Sequence, residues 1–373
     1  MLIIKIFIMG FNCGIVGLPN VGKSTLFNAL TKTVAAQAAN YPFCTIEPNS
    51  GRVGVPDKRL DKVAKLASSK VTIPTYLEVV DIAGLVKGAS KGEGLGNQFL
   101  GNIRSVDAII HVLRCFEDDD ITHVSGSIDP IRDADIIETE LLLSDIESLE
   151  KRQKNLEKKA KSGDKLSKET LSIIDKILPK LQDGIQARDI DIDDDEIVLM
   201  KNLQLLSYKP ILYVCNVSED EASAGNNFSK SVEDMAKKNG CESVIISAEI
   251  ESQIASLEGD EQKEFLESLG LSQSGLNIII EKGYSLLDLL TFFTAGPKEA
   301  RAWTCKKGST APQSAGVIHT DFERGFICAE TISFDDYIEC NGENGAKESG
   351  KLRLEGRDYI SKDGDIFHFR FNV

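Results

Sequence analysis

The run Gly17-Leu18-Pro19-Asn20-Val21-Gly22-Lys23-Ser24 has the spacing G-x-x-x-x-G-K-[ST]. This is the pattern of a loop that wraps phosphates. Its glycines let the backbone turn tightly, so that successive N–H groups converge on phosphate oxygens. The helix that opens behind it adds partial positive charge. Lys23 is placed to reach the β- and γ-phosphates, and the Ser24 hydroxyl to bind Mg²⁺. A glycine-rich turn can match such a pattern by chance, but both flanks argue against that. Cys13-Gly14-Ile15-Val16 reads as a short buried strand, and Ser24 to Leu30 as a helix start.

Further stations narrow the chemistry. Asp81-Ile82-Ala83-Gly84 ends an apolar run as D-x-x-G, where an Asp holds Mg²⁺ through water and a Gly N–H senses the γ-phosphate. A helix-capping Asp is the alternative. In Tyr41-Pro42-Phe43-Cys44-Thr45, Thr45 offers a second hydroxyl to Mg²⁺. A base-reading loop is expected after a later strand, and Asn216-Val217-Ser218-Glu219 follows Tyr213-Val214-Cys215. Guanine readers use N-K-x-D. Here Val217 stands for the Lys and Glu219 for the Asp, which weakens guanine selectivity without establishing adenine selectivity. Asn216 can still reach N7, common to both purines. Ser247-Ala248-Glu249 forms the final base-contacting loop.

The elements that must position these residues are legible as alternating texture. Apolar runs at Tyr76–Asp81, Ala108–Leu113, Ile211–Cys215 and Val244–Ser247 are separated by helical or polar stretches. Such alternation predicts an α/β fold, a mostly parallel sheet covered by helices. Between the second and third runs, from about Ile131 to Ser207, the chain is charged and helix-favouring. Leu142, Ile146, Leu149, Gln153 and Leu156 follow a 4-3-4-3 spacing, Ser162-Gly163-Asp164 breaks it, and Ile174, Ile177, Leu178 and Leu181 give a return helix. This predicts a helical coiled-coil hairpin. Its tip, 151–168, carries Lys151, Arg152, Lys154, Lys158, Lys159, Lys161, Lys165 and Lys168 against Glu157 and Asp164. That is either a solvated helix surface or a contact for RNA or another acidic partner. After the break at Ala295-Gly296-Pro297 come β-favouring runs at 300–304, 351–355 and 366–371, a compact β-rich C-terminal domain. The histidines there, His319 and His368, read as structural.

With 373 residues the chain holds two or three domains, and its net charge of −15 excludes a general nucleic-acid coat. Its eight cysteines show no C-x-x-C pair or zinc spacing and read as thiols in a reducing cytosol. The apolar start, Met1 to Met9, is too short to span a membrane, and translation is expected to begin at Met9.

Gly17–Ser24, Asn40–Thr45, Asp81–Ala89 and Asn216–Glu219 together resemble the YchF/OLA1 family of Obg-related P-loop ATPases, a match running from Gly10 to Val373. The family begins at the equivalent of Met9, so 1–9 is read as a non-native extension. The resemblance implies an Obg-type P-loop domain from 10–130 and 208–286, an inserted helical coiled coil at 131–207, and a β-grasp-like TGS domain at 287–373. It implies ATP preferred over GTP, slow hydrolysis, Mg²⁺, and binding to ribosomes (large subunit or 70S) and their RNA. K⁺ is carried as a second candidate cation near Asn20. By the same carry-over Asn20, Val21, Gly22, Lys23, Ser24 and Thr25 contact ATP, Ser24 and Thr45 bind Mg²⁺ alongside the Asp81 read from D-x-x-G, and the Val217 backbone contacts the base.

What orients the attacking water is the open question. A Gln follows D-x-x-G in Ras-like proteins, but here the position is Leu85, which can neither donate nor accept. The polar loop Phe116–His123 follows a strand near the nucleotide, and His123 can work near neutral pH. The resemblance points to the same residue, while a surface-loop histidine is the alternative. His111, within an apolar strand, reads as core. The expected protein is a cytoplasmic, monomeric, membrane-free ATPase, with Lys23, Gly84 and His123 as its catalytic set. Its rivals are a GTPase switch on the same fold and a ribosome-binding regulator whose nucleotide is mainly structural.

Overall fold

The computed structural model describes residues 11–38, 46–47, 49–82, 95–118, 120, 123, 126–257 and 259–372. Its first sheet is built from β1 (Phe11–Val16), β2 (Ile46–Glu47), β3 (Ser50–Gly54), β5 (Tyr76–Asp81), β6 (Ala108–Arg114), β7 (Ile211–Asn216) and β8 (Glu242–Ile246). The order is β2-β3-β5-β1-β6-β7-β8, with β3 antiparallel and β5, β1, β6, β7 and β8 parallel. The central strands β6 and β7 are buried along their whole length, because helices cover both faces. The chain leaves β1 toward β3 and β5 on one side and reaches β6 on the other. The C-terminal end of β1 is therefore the switch point at which open α/β sheets hold ligands.

Helix α1 (Lys23–Ala38) follows β1 directly, and α2 (Lys58–Leu66) follows β3. After α3 (Leu95–Ser105) and β6 comes α4 (Pro130–Lys161), which pairs with α5 (Lys165–Gln182) as a hairpin closed by α6 (Ile197–Leu203). Asp129 caps α4 by accepting from Arg132 N at 3.1 Å, and Pro130 sits at its first turn. The hairpin reverses at Gly163 (φ +95°), and Asp164 caps α5 through Ser167 N at 2.9 Å. Leu142, Leu149, Ile174, Ile177 and Leu181 form the hairpin core, and the polar seam residue Gln153 donates to Asp175 Oδ1 at 2.6 Å. The first turns of α4 belong elsewhere. Ala134, Ile137 and Leu141 are in the main sheet's core, so one helix is shared by two cores. Asp145 ties the returning chain to it, accepting from Leu206 N, Ser207 N and Ser207 Oγ at 2.9, 2.8 and 2.6 Å.

Helices α7 (Asn227–Lys238), α8 (Ala248–Ile254), α9 (Asp260–Ser268) and α10 (Gly275–Leu286) complete the first unit. The second sheet contains β9 (Leu289–Ala295), β10 (Glu299–Lys306), β11 (Phe326–Ile332), β12 (Arg353–Glu355) and β13 (Ile366–Phe371). It is extended by a strand from far upstream, β4 (Val71–Ile73), which pairs in parallel with β10. Leu60, Val63 and Ala64 of α2 fill the same core as Phe293, Ala300, Ala302 and Tyr337. Arg59 adds an ion pair to Asp363 at 2.5 Å. The C-terminal sheet is thus bound to the nucleotide unit by a shared strand, a shared helix and a charge pair.

Candidate functional site

Gly22 has φ +90°, and a Cβ there would lie 2.1 Å from Asn216 Nδ2. Only glycine fits, for backbone and contact reasons together. A Cβ on Gly17 would lie 2.7 Å from the Val112 carbonyl of β6. Asn20 also holds a positive φ, 64°, which Asn tolerates better than most residues. The loop is therefore pressed against the sheet and turns sharply into α1, where Leu26 N donates to Gly22 O at 3.0 Å.

Lys23 is the first residue of α1 and is buried; its ammonium donates to Ile82 O at 3.0 Å and lies 4.0 Å from Asp81 Oδ1. Burial pushes the Lys23 pKa down, against the pull of Asp81, and pushes the Asp81 carboxyl up, against the pull of Lys23. Asp81 Oδ1 is buried without a hydrogen-bond partner. Each group is only partly compensated by the other. A polyphosphate with a divalent cation would supply what both need, the anion for Lys23 and the cation for Asp81. Ser24 follows Lys23 in the first turn of α1 and is exposed. Among the described residues no group of three His, Cys, Asp or Glu could hold a metal alone, so a hard cation would be shared with the ligand's oxygens. The residues present fit Mg²⁺ in that sense. Thr45, Gly84 and Leu85 lie outside the described residues.

Asn216 ends β7 and connects three segments. Its Nδ2 donates to Val21 O at 3.0 Å, and its Oδ1 accepts from Ala248 N at 2.9 Å, at 4% exposure. Asn216, expected from the sequence to meet the base, is the strut between the phosphate loop and the loop after β8. Val217 is buried and its N–H is committed to Ile246 O at 2.8 Å, which leaves its carbonyl for any backbone contact to a base. Glu219 is exposed and accepts from Gln253 Nε2 at 2.6 Å. Ser247 is buried and caps α8, its hydroxyl accepting from Ile250 N at 3.5 Å. Thr25, half-buried, follows Ser24 in the first turn of α1.

His123 is buried, with Nε2 2.8 Å from Oδ2 of the fully buried Asp133 in the first turn of α4. Arg114, at the end of β6, is also buried and donates to the carbonyls of Phe116 and Asp118, both at 3.1 Å. Neither Asp133 nor Arg114 was singled out from the sequence, where a charged residue in a helix or at a strand end carries no distinguishing pattern. His111 is fully buried on β6 beside Tyr213, both ring nitrogens without partners, and burial lowers its pKa to about 4. Two joined cavities of about 750 and 810 Å³ share Val55, Lys58, Gln262 and Asn277, and none of Gly17–Ser24 lines either. The chemistry, not these hollows, marks the site.

A glycine-pressed loop at the switch point of the sheet, a buried lysine paired with a half-buried aspartate behind it and an asparagine strut beside it define the class: a P-loop nucleotide-binding G domain, here joined to a C-terminal domain. Comparison with known proteins agrees. A family described as 50S ribosome-binding GTPase matches residues 12–140, and a YchF-GTPase C-terminal family, described as of unknown function, matches 289–372. Proteins named ribosome-binding ATPase YchF from Pasteurella multocida and Bacillus subtilis are 58% and 54% identical, over 98% of this chain and 100% of theirs. The solved structure of the Schizosaccharomyces pombe YchF GTPase superposes with a TM-score of 0.87 at 39% identity, covering 97% of this chain and 98% of that one. The chain belongs to the YchF family.

Proposed function

We propose that this protein is a ribosome-binding ATPase that hydrolyses ATP in preference to GTP and works as a nucleotide-controlled switch. The observation that carries the hydrolase reading is the undercompensated Lys23–Asp81 pair at the end of β1, poised for a phosphate chain and its cation. The preference for ATP rests on the base loop. A guanine reader needs a carboxylate aimed at the base edge. Val217 is buried hydrocarbon, and the Glu219 carboxylate is drawn to Gln253. The relatives' names divide between ATPase and GTPase, so the nucleotide is the point to test. Competition of ATP and GTP for the purified chain should give ATP at least several-fold tighter binding. Equal or tighter GTP binding would refute the preference and favour the GTPase reading, which Asn216 alone would still serve.

In this reading Asn20 to Thr25 hold the phosphates, and Asn216, Val217, Glu219, Ser247 and Ala248 surround the base. Ser24, Thr45 and Asp81 would hold Mg²⁺, which when bound would neutralise developing phosphate charge. K⁺ near Asn20 is the further cation we propose. Lys23 steadies the γ-phosphate, Gly84 senses it, and His123 accepts the proton of the attacking water, since Leu85 cannot. His123→Ala should lower kcat about 10-fold or more with ATP affinity nearly unchanged; wild-type turnover would dismiss the histidine. The working units are 10–130 with 208–286, the insertion 131–207 and a TGS domain 287–373. The basic hairpin tip is the proposed contact to ribosomal RNA. We further propose a cytoplasmic monomer; no helix among the described residues is long and apolar enough to cross a membrane.

A further inference from the structure

The histidine assigned to the attacking water does not stand open to water. Its side chain is 5% exposed, and its Nε2 edge faces Asp133 Oδ2 at 2.8 Å. Asp133 has no exposure at all. Its other oxygen, Oδ1, lies 3.4 Å from Arg132 Nη2, and Arg132 is itself turned onto Ser127, donating to its hydroxyl at 3.0 Å and to its carbonyl. Asp133 cannot follow a moving histidine. Its N–H is bonded to Asp129 O at 3.0 Å in the capped first turn of α4. One turn on, Ile137 is locked in the sheet core, and Glu138 accepts from Tyr213 of β7 and pairs with Arg188. The carboxylate is a fixed post, and a ring that leaves it strands a buried charge with one distant guanidinium.

We propose that Asp133 is a restraint on His123: it holds the imidazole inward and so limits the rate of hydrolysis. This deepens the proposed role of His123 and rests on it. A base must present a ring nitrogen to the water at the γ-phosphate; with Nε2 on Asp133 and the side chain only 5% exposed, His123 turns over substrate only once its ring swings outward. Asp133 does not touch nucleotide; it acts through the histidine. The opposite role, a carboxylate that orients a working base, predicts the opposite kinetics.

The full chain tests this by multiple-turnover phosphate release with Mg²⁺-ATP. Asp133→Asn keeps the shape and removes the charge. It should raise kcat at least about threefold with little change in KM, and His123→Ala/Asp133→Asn should fall back to the His123→Ala rate. A kcat at or below wild type in Asp133→Asn overturns the restraint. A wild-type rate in His123→Ala instead overturns the histidine's role, whatever Asp133 does. Should Asp133→Asn fail to fold, the wild-type chain is mapped with diethyl pyrocarbonate and mass spectrometry. His123 should carboethoxylate at least about tenfold more slowly than His319, whose side chain is 57% exposed. A non-hydrolysable ATP analogue with Mg²⁺ should shrink that gap. Equal rates without nucleotide, or protection unchanged by the analogue, overturns the restraint.

Discussion

Replacing Asn216 by Ala cuts the strut between the phosphate loop and the loop after β8. The amide makes two buried hydrogen bonds, to Val21 O at 3.0 Å and from Ala248 N at 2.9 Å, with the residue 4% exposed. Each backbone group left buried without a partner costs about 1–3 kcal/mol, so the pair costs roughly 2–6 kcal/mol, less where water enters the space. For a unit of this size about 1 kcal/mol corresponds to about 2–4 °C in Tm. A fall of about 5 °C or more is expected by scanning calorimetry or intrinsic fluorescence. Nucleotide affinity should fall with it by about tenfold or more, since Val21 and Gly22 lose the contact that holds their carbonyl and turn in place. Asn216→Asp sharpens the test. It keeps an acceptor for Ala248 N but sets a carboxylate against the Val21 carbonyl, so it should bind nucleotide no better than Asn216→Ala. An Asn216→Ala protein with wild-type Tm and wild-type ATP affinity would show that the loop holds its shape unaided, and the strut argument would fail.

Lys23→Ala should keep the fold and lose measurable turnover, because a charge-assisted phosphate contact contributes about 1.5–3 kcal/mol to binding; unchanged phosphate release in a folded variant would end the phosphate-loop assignment. Reversing Lys158, Lys159 and Lys161 to Glu, all exposed near the hairpin turn, should weaken cosedimentation with ribosomes and flatten its salt dependence. Binding with an unchanged salt slope would move the contact to another surface. His111 should make the protein acid-sensitive. Burial holds its folded pKa at about 4 against an ordinary 6.5, with Glu138 opposing and Arg188 reinforcing the shift. The unfolded chain therefore binds a proton that the folded one refuses. Stability is complete above pH 6.5 and declines as pH falls toward 4, by roughly 3 kcal/mol in all. Urea midpoints at pH 7 and pH 4.5 should differ less in His111→Leu than in wild type; an equal difference would assign the loss to other groups.

Local signals are what the chain states by itself. Gly17, Gly22, Lys23 and Ser24 are readable because a phosphate-wrapping turn makes its demands within eight neighbouring residues, where glycine conformations and a helix start are local properties. The hairpin is readable for a similar reason: the 4-3 spacing from Leu142 and the Ser162-Gly163-Asp164 break are helix periodicity and turn chemistry. The positions of β5, β6, β7 and β8 follow from short apolar runs, of which β6 and β7 are buried along their whole length. Tertiary structure alone decided what those segments touch. Val71-Thr72-Ile73 is an unremarkable short apolar run until it pairs with β10, more than two hundred residues away, and binds the C-terminal sheet to the nucleotide unit. Asn216 reads as a base contact, yet its buried bonds go to Val21, 195 residues earlier, and to Ala248. Asp133 is one acid among 58 Asp and Glu until burial presses it against His123. Spacing encodes conformations that neighbours impose on each other. Burial, counter-charge and partner choice depend on packing between distant segments, and these set the surroundings of Lys23, Asp81 and His123.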